Sequence, residues 1–194
     1  MSQKEIDNDE LLISLVKKGD EQAMRILYCR SVRYLSAVCS RYIYSEEDIK
    51  DVLQDAFLKI FASMKSFEYR GEGSLKGWMT KITLNETLKF IRNNSRMQFV
   101  ELNHEEINEF DAEPNTEGIA PAIIHSMIRE LPDGYRTIFN LYVIEGKSHK
   151  EIAELLGIKA DSSASQLHRA KALLAEKIKK CNTLNSISKC KRIG

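Results

Sequence analysis

The sequence lacks long apolar runs: none exceeds four residues, as at Leu141 to Ile144, far below the roughly 20 of a membrane-spanning helix. Its start, Met1-Ser2-Gln3-Lys4-Glu5-Ile6-Asp7, has no apolar stretch of the kind a secretory signal carries. Glycine and proline are few, 9 and 3 in 194 residues, whereas an all-β chain needs many tight turns. The cysteines Cys29, Cys39, Cys181 and Cys190 form no CxxC pair, which reads as reduced thiols rather than a disulfide frame or zinc site. These absences lead to the expectation of a cytoplasmic, all-α protein that does not insert into a membrane and carries no metal.

Net charge is nearly absent too, at +1 from 29 basic and 28 acidic residues, but the total hides blocks. Residues 1–96 carry 16 basic and 14 acidic side chains, a net of +2; residues 97–118 carry 7 acids and no base, a net of −7; residues 119–194 carry 13 basic and 7 acidic, a net of +6. Such a pattern divides the chain into a first lobe over 8–95, an acidic linker over 96–118, a second lobe over 119–180 and a basic tail over 181–194. The linker holds Pro114 and few periodic apolar residues, too little to bury itself, so it is expected to be flexible. The tail beyond Cys181 is expected to fray.

What is present is helical periodicity. Leu11, Leu12, Leu15 and Val16 form a first amphipathic run that Gly19-Asp20 breaks. A second helix is predicted from about 20 to 43, with Ala23, Ile26, Leu27, Val38, Cys39 and Tyr42 inside. The third is the clearest: Ile49, Val52, Leu53, Ala56, Phe57, Ile60, Phe61 and Met64 hold the i, i+3, i+4, i+7 rule. Ser45 is its expected N-cap, with Glu46, Glu47 and Asp48 in the first turn, where the helix dipole favours acids. A loop over Glu68–Gly73 leads to Ser74, the expected cap of a fourth helix running to about Asn93. In the second lobe one helix is expected through Ile123, Ile124, Met127 and Ile128, and another through Tyr135, Ile138, Phe139, Tyr142 and Val143 up to Gly146.

Residues 148–171 carry the strongest motif, a helix-turn-helix. Ser148 with Glu151 is a capping box, Ile152, Leu155 and Leu156 bury, and Gly157 supplies the positive φ of the turn. Asp161 or Ser162 is the expected cap of the next helix, with Leu167, Ala170 and Leu174 inward. Ser162, Ser163, Ala164, Ser165, His168, Arg169 and Lys171 are the candidate duplex contacts, because short side chains admit close approach to base edges and Arg and Lys reach phosphate or guanine. Residues 158–194 hold 9 basic and 2 acidic side chains, the electrostatic footprint of a DNA binder.

In the first lobe the outer face of the third helix shows Asp48, Asp51, Gln54, Asp55 and Leu58; read alone, it serves solubility. The fourth helix and its loop interleave Tyr69, Arg70, Lys76, Trp78, Lys81, Asn85, Lys89 and Arg92. Bases and aromatics together suit an unpaired strand, stacking beside phosphate contacts. Trp78 reads equally well as a core aromatic with Leu75, Met79 and Ile82. No enzyme constellation stands out: His104-Glu105-Glu106 lacks the second histidine of a zinc-protease helix and no glycine-rich phosphate loop occurs. His149 reads as a surface residue beside a cap and His125 as structural. No cofactor and no catalytic residue are expected.

The order of these parts, from about Leu11 to Lys180, resembles a bacterial RNA polymerase sigma factor of the extracytoplasmic-function group. Glu47-Asp48-Ile49-Lys50-Asp51-Val52-Leu53-Gln54-Asp55-Ala56-Phe57-Leu58-Lys59 looks like that family's core-polymerase-binding helix in region 2, and Leu75-Lys76-Gly77-Trp78-Met79-Thr80-Lys81-Ile82-Thr83-Leu84-Asn85 like its promoter-melting helix. Leu131-Pro132, Tyr135-Arg136 and Ile144-Glu145-Gly146 through Gly157 look like region 4. The resemblance implies a transcription initiation factor, not an enzyme, with Asp48, Asp51, Gln54, Asp55 and Leu58 on the polymerase β′ clamp helices. It further implies Tyr69, Arg70, Lys76, Trp78, Lys81, Asn85 and Lys89 on the melted −10 strand, the second helix of the helix-turn-helix on the −35 duplex, a contact with the β flap, and an anti-sigma partner. The acidic linker would follow the RNA exit path. The family commonly has Gly-Thr where this chain has Asp161-Ser162, and a base where Ala164 stands, which implies weaker or altered −35 reading. A helix-turn-helix regulator working without polymerase explains the second lobe as well, but leaves the Tyr69–Arg92 surface and the acidic linker without a purpose.

Overall fold

The computed structural model describes residues 8–94, 116–117 and 119–190, with side chains as far as residue 183. The chain forms two compact units, Met1–Asn94 and Ser95–Gly194. Every regular element among the described residues is helical. The acidic linker lies outside them apart from Thr116 and Glu117.

Among the described residues the first unit has four α-helices: α1 (Asp9–Lys17), α2 (Glu21–Cys39), α3 (Glu46–Ser63) and α4 (Ser74–Asn93). Local chemistry sets their starts. Asn8, Asp20 and Ser45 each accept a backbone N–H of the first turn, from Glu10, Ala23 and Asp48, which satisfies donors that a helix leaves unpaired. The second helix stops at Cys39 rather than near residue 43, and Tyr42 and Ile43 are buried just beyond its end. Helices α2, α3 and α4 pack on one another and α1 on α2, closing over Leu27, Leu35, Ala56, Ile60 and Met79. Lys17 Nζ donates to the Phe67 carbonyl at 2.6 Å, fixing the chain where it leaves α3 for the loop before α4.

The second unit comprises α5 (Pro121–Arg129), α6 (Asp133–Phe139), α7 (His149–Leu156) and α8 (Ala160–Cys190). Helix α8 packs against α5, α6 and α7, and Ile119, Met127, Leu131, Ala170, Leu174 and Ile178 form a shared core. Pro121 sits at the first position of α5, where its missing N–H costs nothing. Arg136 is only 2 % exposed; its guanidinium donates to the carbonyls of Arg129 and Leu131 at 3.2 and 3.3 Å and to Asp133 Oδ1 at 2.8 Å. It therefore closes the carbonyl end of α5 from inside the fold.

Two expectations are corrected here. Helix α6 passes into a wider π turn over Asn140–Ile144, closed by the Glu145 N–H on the Asn140 carbonyl at 3.0 Å. The added residue in the turn rotates Tyr142, Val143 and Ile144 to solvent, so Tyr142 and Val143 are exposed rather than inward. The backbone beyond Cys181 is helical as far as Cys190 instead of frayed, since no glycine or proline occurs between Ile158 and Ile193 to end it.

Candidate nucleic-acid interface

The outer face of α3 carries Asp51, Gln54, Asp55 and Leu58, all exposed, with Asp48 half-buried in the first turn. Its amphipathic spacing sends Ile49, Val52, Leu53, Ala56 and Ile60 inward and leaves these four on the other side. Leu58 is 61 % exposed. Asp51 and Asp55 stand one turn apart, a like-charge pair that weakens an isolated helix, and neither has an ion-pair partner among the described residues. An uncovered leucine one turn beyond the nearer of two unpaired acids serves folding poorly and serves docking well.

Around α4 a second surface forms. Gly71 and Gly73 have φ of 100° and 80°, which lets the loop turn sharply into the helix. The hydroxyl of Ser74 donates to the Gly71 carbonyl at 2.7 Å and accepts the Arg70 N–H at 3.2 Å. It thus braces the loop instead of capping α4, which Gly73 precedes in left-handed conformation, a correction to the expected cap. Tyr69 and Arg70 are exposed, and the Arg70–Glu68 pair at 3.4 Å is open to solvent, so it holds Arg70 only weakly.

Along α4, Lys81, Asn85 and Lys89 follow at four-residue steps and are all exposed, making one stripe. Lys76 is exposed with its ammonium 5.4 Å from the centroid of the Tyr34 ring. Trp78 is half-buried, its ring 4.6 Å from that of Phe67; it occupies the boundary between core and stripe, between its two readings. The one acid of α4, Glu86, is buried and holds Lys59 of α3 and, at 3.9 Å, Lys89. The stripe consequently exposes no acid. Glu86 escaped the sequence reading, although its position one residue after Asn85 turns it toward α3.

The helix-turn-helix has its capping box: Ser148 N–H donates to Glu151 Oε2 at 2.8 Å and Glu151 N–H to Ser148 Oγ at 3.3 Å. The Ser148 N–H and, next, the Ser148 hydroxyl, which donates to Oε2 at 2.9 Å, hold the Glu151 carboxyl below its ordinary value, with Lys147 close by. Gly157 turns the chain with φ 71°. Helix α8 begins at Ala160, so Asp161 lies inside its first turn, favoured there by the dipole, and neither Asp161 nor Ser162 is the residue that precedes the helix. Ala164, Ser165, His168 and Lys171 are exposed, while Ser162 and Arg169 are half-buried. The Ser165 hydroxyl donates to the Asp161 carbonyl at 2.9 Å. Ser163 is corrected: its side chain is 0 % exposed and lies 3.0 Å from His149 Nδ1, so it faces the fold and not a duplex. Its spacing to Leu167, Ala170 and Leu174 already put it on the inward stripe. His149, expected at the surface, is half-buried and stacked on Tyr142 at 4.7 Å between centroids.

Residues 27–97 match the family described as Sigma-70 region 2, and residues 122–174 match Sigma-70, region 4. The chain is similar to the ECF RNA polymerase sigma-E factor of Haemophilus influenzae, 28% identical over 88% of this chain and 95% of that protein. It is likewise similar to the sigma-E factor of Escherichia coli, 26% identical over 88% of this chain and 94% of the other. Among solved structures it resembles the sigma factor RpoE of Bartonella quintana, crystallised with the anti-sigma factor NepR, at 22% identity and a TM-score of 0.45 over 80% of this chain and 96% of that one.

Two helical units carrying regions 2 and 4 in that order define a promoter-directing transcription initiation factor. The chain belongs to the sigma-70 family, in its extracytoplasmic-function group. No described helix is long and apolar enough to cross a membrane.

Proposed function

We propose that this factor works by binding alone, through three surfaces used in sequence. The face of α3 with Asp48, Asp51, Gln54, Asp55 and Leu58 seats the factor on the β′ clamp helices of core polymerase. The observation that carries this assignment is the 61 % exposed Leu58, one turn beyond Asp55 and two beyond Asp51, acids that have no ion-pair partners among the described residues; a basic, partly apolar helical surface complements it.

The loop at Tyr69 and Arg70 and the α4 residues Lys76, Trp78, Lys81, Asn85 and Lys89 take the unpaired strand of the −10 element, the cations on phosphates and Tyr69 on a base. The exposed side of α8, with Ser162, Ala164, Ser165, His168, Arg169 and Lys171, enters the −35 major groove. With Ser163 turned inward and Ala164 in place of a base, few contacts remain there, and the cationic reach of Lys171 becomes correspondingly important. The exposed strip Tyr142–Val143–Ile144 offers an apolar face for the β flap. An anti-sigma protein would act by covering one of these surfaces, and the acidic linker would follow the RNA exit path. The setting is the cytoplasm.

Run-off transcription with purified core enzyme tests the proposal as a whole. Wild-type protein gives a discrete product from a promoter fragment recovered with the holoenzyme. Lys81→Ala with Asn85→Ala keeps core binding but loses that product on duplex template and recovers it on a template already mismatched at −10. Equal loss on both templates contradicts the strand-capture role.

A further inference from the structure

The recognition helix has an unusual seat. Its buried face over the first two turns is polar, made by Ser163 at 0 % and Gln166 at 3 % exposure, before the apolar residues Leu167 and Ala170 begin. Neither amide atom of Gln166 has a hydrogen-bond partner among the described residues. Apolar packing therefore does not by itself define how α8 is rotated where it would meet DNA, since such packing is non-directional. The directional link at this end is the one between Ser163 Oγ and His149 Nδ1, 3.0 Å apart. In either imidazole tautomer one of the two groups donates to the other.

His149 is itself held from two sides. It is the first residue of α7, directly after Ser148 and within the Ser148–Glu151 capping box, and its ring lies on Tyr142 with 24° between the planes. A side chain fixed in this way passes its position on to whatever it bonds. We infer that His149 is a positioning residue, setting through Ser163 the rotation of α8 and hence which −35 sequence the exposed side chains read. The inference rests on α8 being the duplex reader. It gives the buried serine, which cannot touch DNA, a part in specificity.

The test uses the full chain bound to core polymerase. The probe is the fragment that wild-type holoenzyme retains best from a randomised duplex pool, paired with the same fragment scrambled over its upstream element. The readout is the ratio of the two affinities. His149→Phe keeps the ring and its stack on Tyr142 but loses Nδ1. The ratio falls about fivefold, the equivalent of one neutral hydrogen bond, while affinity for the scrambled fragment holds. His149→Asn, whose amide reaches the Nδ1 position, restores the ratio, and Ser163→Ala added to His149→Phe changes nothing further.

A purely structural role would lower both affinities together and would not separate Asn from Phe; either result overturns the inference, as does an unchanged ratio in His149→Phe. His168→Ala with Lys171→Ala serves as the control. If that pair lowers the ratio while His149→Phe does not, the positioning role alone fails. If the pair too leaves it unchanged, α8 is not the reader and both assignments fall.

Discussion

Arg136 illustrates how much rests on single polar side chains in a unit this small. Its guanidinium is buried against two carbonyls at the end of α5 and the carboxylate of Asp133. Arg136→Ala strands those acceptors away from water and is expected to cost about 3 kcal/mol, seen as a lower melting temperature of the second unit; a change under about 0.5 kcal/mol contradicts this role.

Glu151 gives a pH-dependent case. Its carboxyl is held below the ordinary value of 4.5, chiefly by the Ser148 N–H and next by the Ser148 hydroxyl. A depressed acid stabilises the fold above its unfolded pKa, and the contribution disappears as pH falls through the folded one. The melting-temperature difference between wild type and Glu151→Ala is therefore expected to be constant near neutrality and to shrink once pH drops below 4.5. A difference that grows on acidification contradicts the capping-box account.

At the scale of elements, the sequence was easiest to read where one face of a helix is uniformly apolar. Helix α3 is the plainest instance: Ile49, Val52, Ala56 and Ile60 are buried as their spacing demands, and the outward set follows by subtraction. Reading failed where a local conformer shifts the phase. The π turn keeps apolar residue types at Tyr142, Val143 and Ile144 but rotates them out, and composition carries no sign of the extra residue. At the start of α8, Asp161 and Ser162 are good capping types, yet the helix begins at Ala160, so type alone chose the wrong residue. Ser163 carries two signals that disagree: a hydroxyl suits a groove, while its spacing puts it on the Leu167 stripe. His149 had no signal at all, because its partner lies fourteen residues away across the turn.

Gly157 belongs to this scale as well. Nothing lies within 4 Å of where its Cβ would stand, and φ is 71°, so substitution meets conformational strain alone. Gly157→Ala is expected to destabilise the helix-turn-helix by about 1 kcal/mol, measured by denaturant melts, and Gly157→Asn by less, since asparagine tolerates the left-handed region. Equal costs for the two contradict a φ-based requirement.

For the whole molecule, the near-zero net charge is a cancellation between segments, +2 over residues 1–96, −7 over 97–118 and +6 over 119–194. The exposed α4 stripe and α8 carry net positive charge, while the outer face of α3 carries Asp48, Asp51 and Asp55. Like charges left unpaired on one helix face weaken it slightly, and a partner of opposite sign removes that cost on docking while speeding encounter. Under the proposed function, polymerase binding and −10 strand binding fall on different charges on different helices of one small unit, and they are expected to be separable by substitution.

Affinity of the full chain for purified core RNA polymerase, measured for wild type and for Asp51→Lys with Asp55→Lys, tests this most directly. Both positions are exposed, so circular dichroism and melting temperature stay as in wild type. The account predicts a loss of core affinity of at least about tenfold, roughly 1.4 kcal/mol, steeper at low salt than at high salt. Unchanged affinity in a folded double variant would contradict the assignment of α3 as the polymerase-binding face.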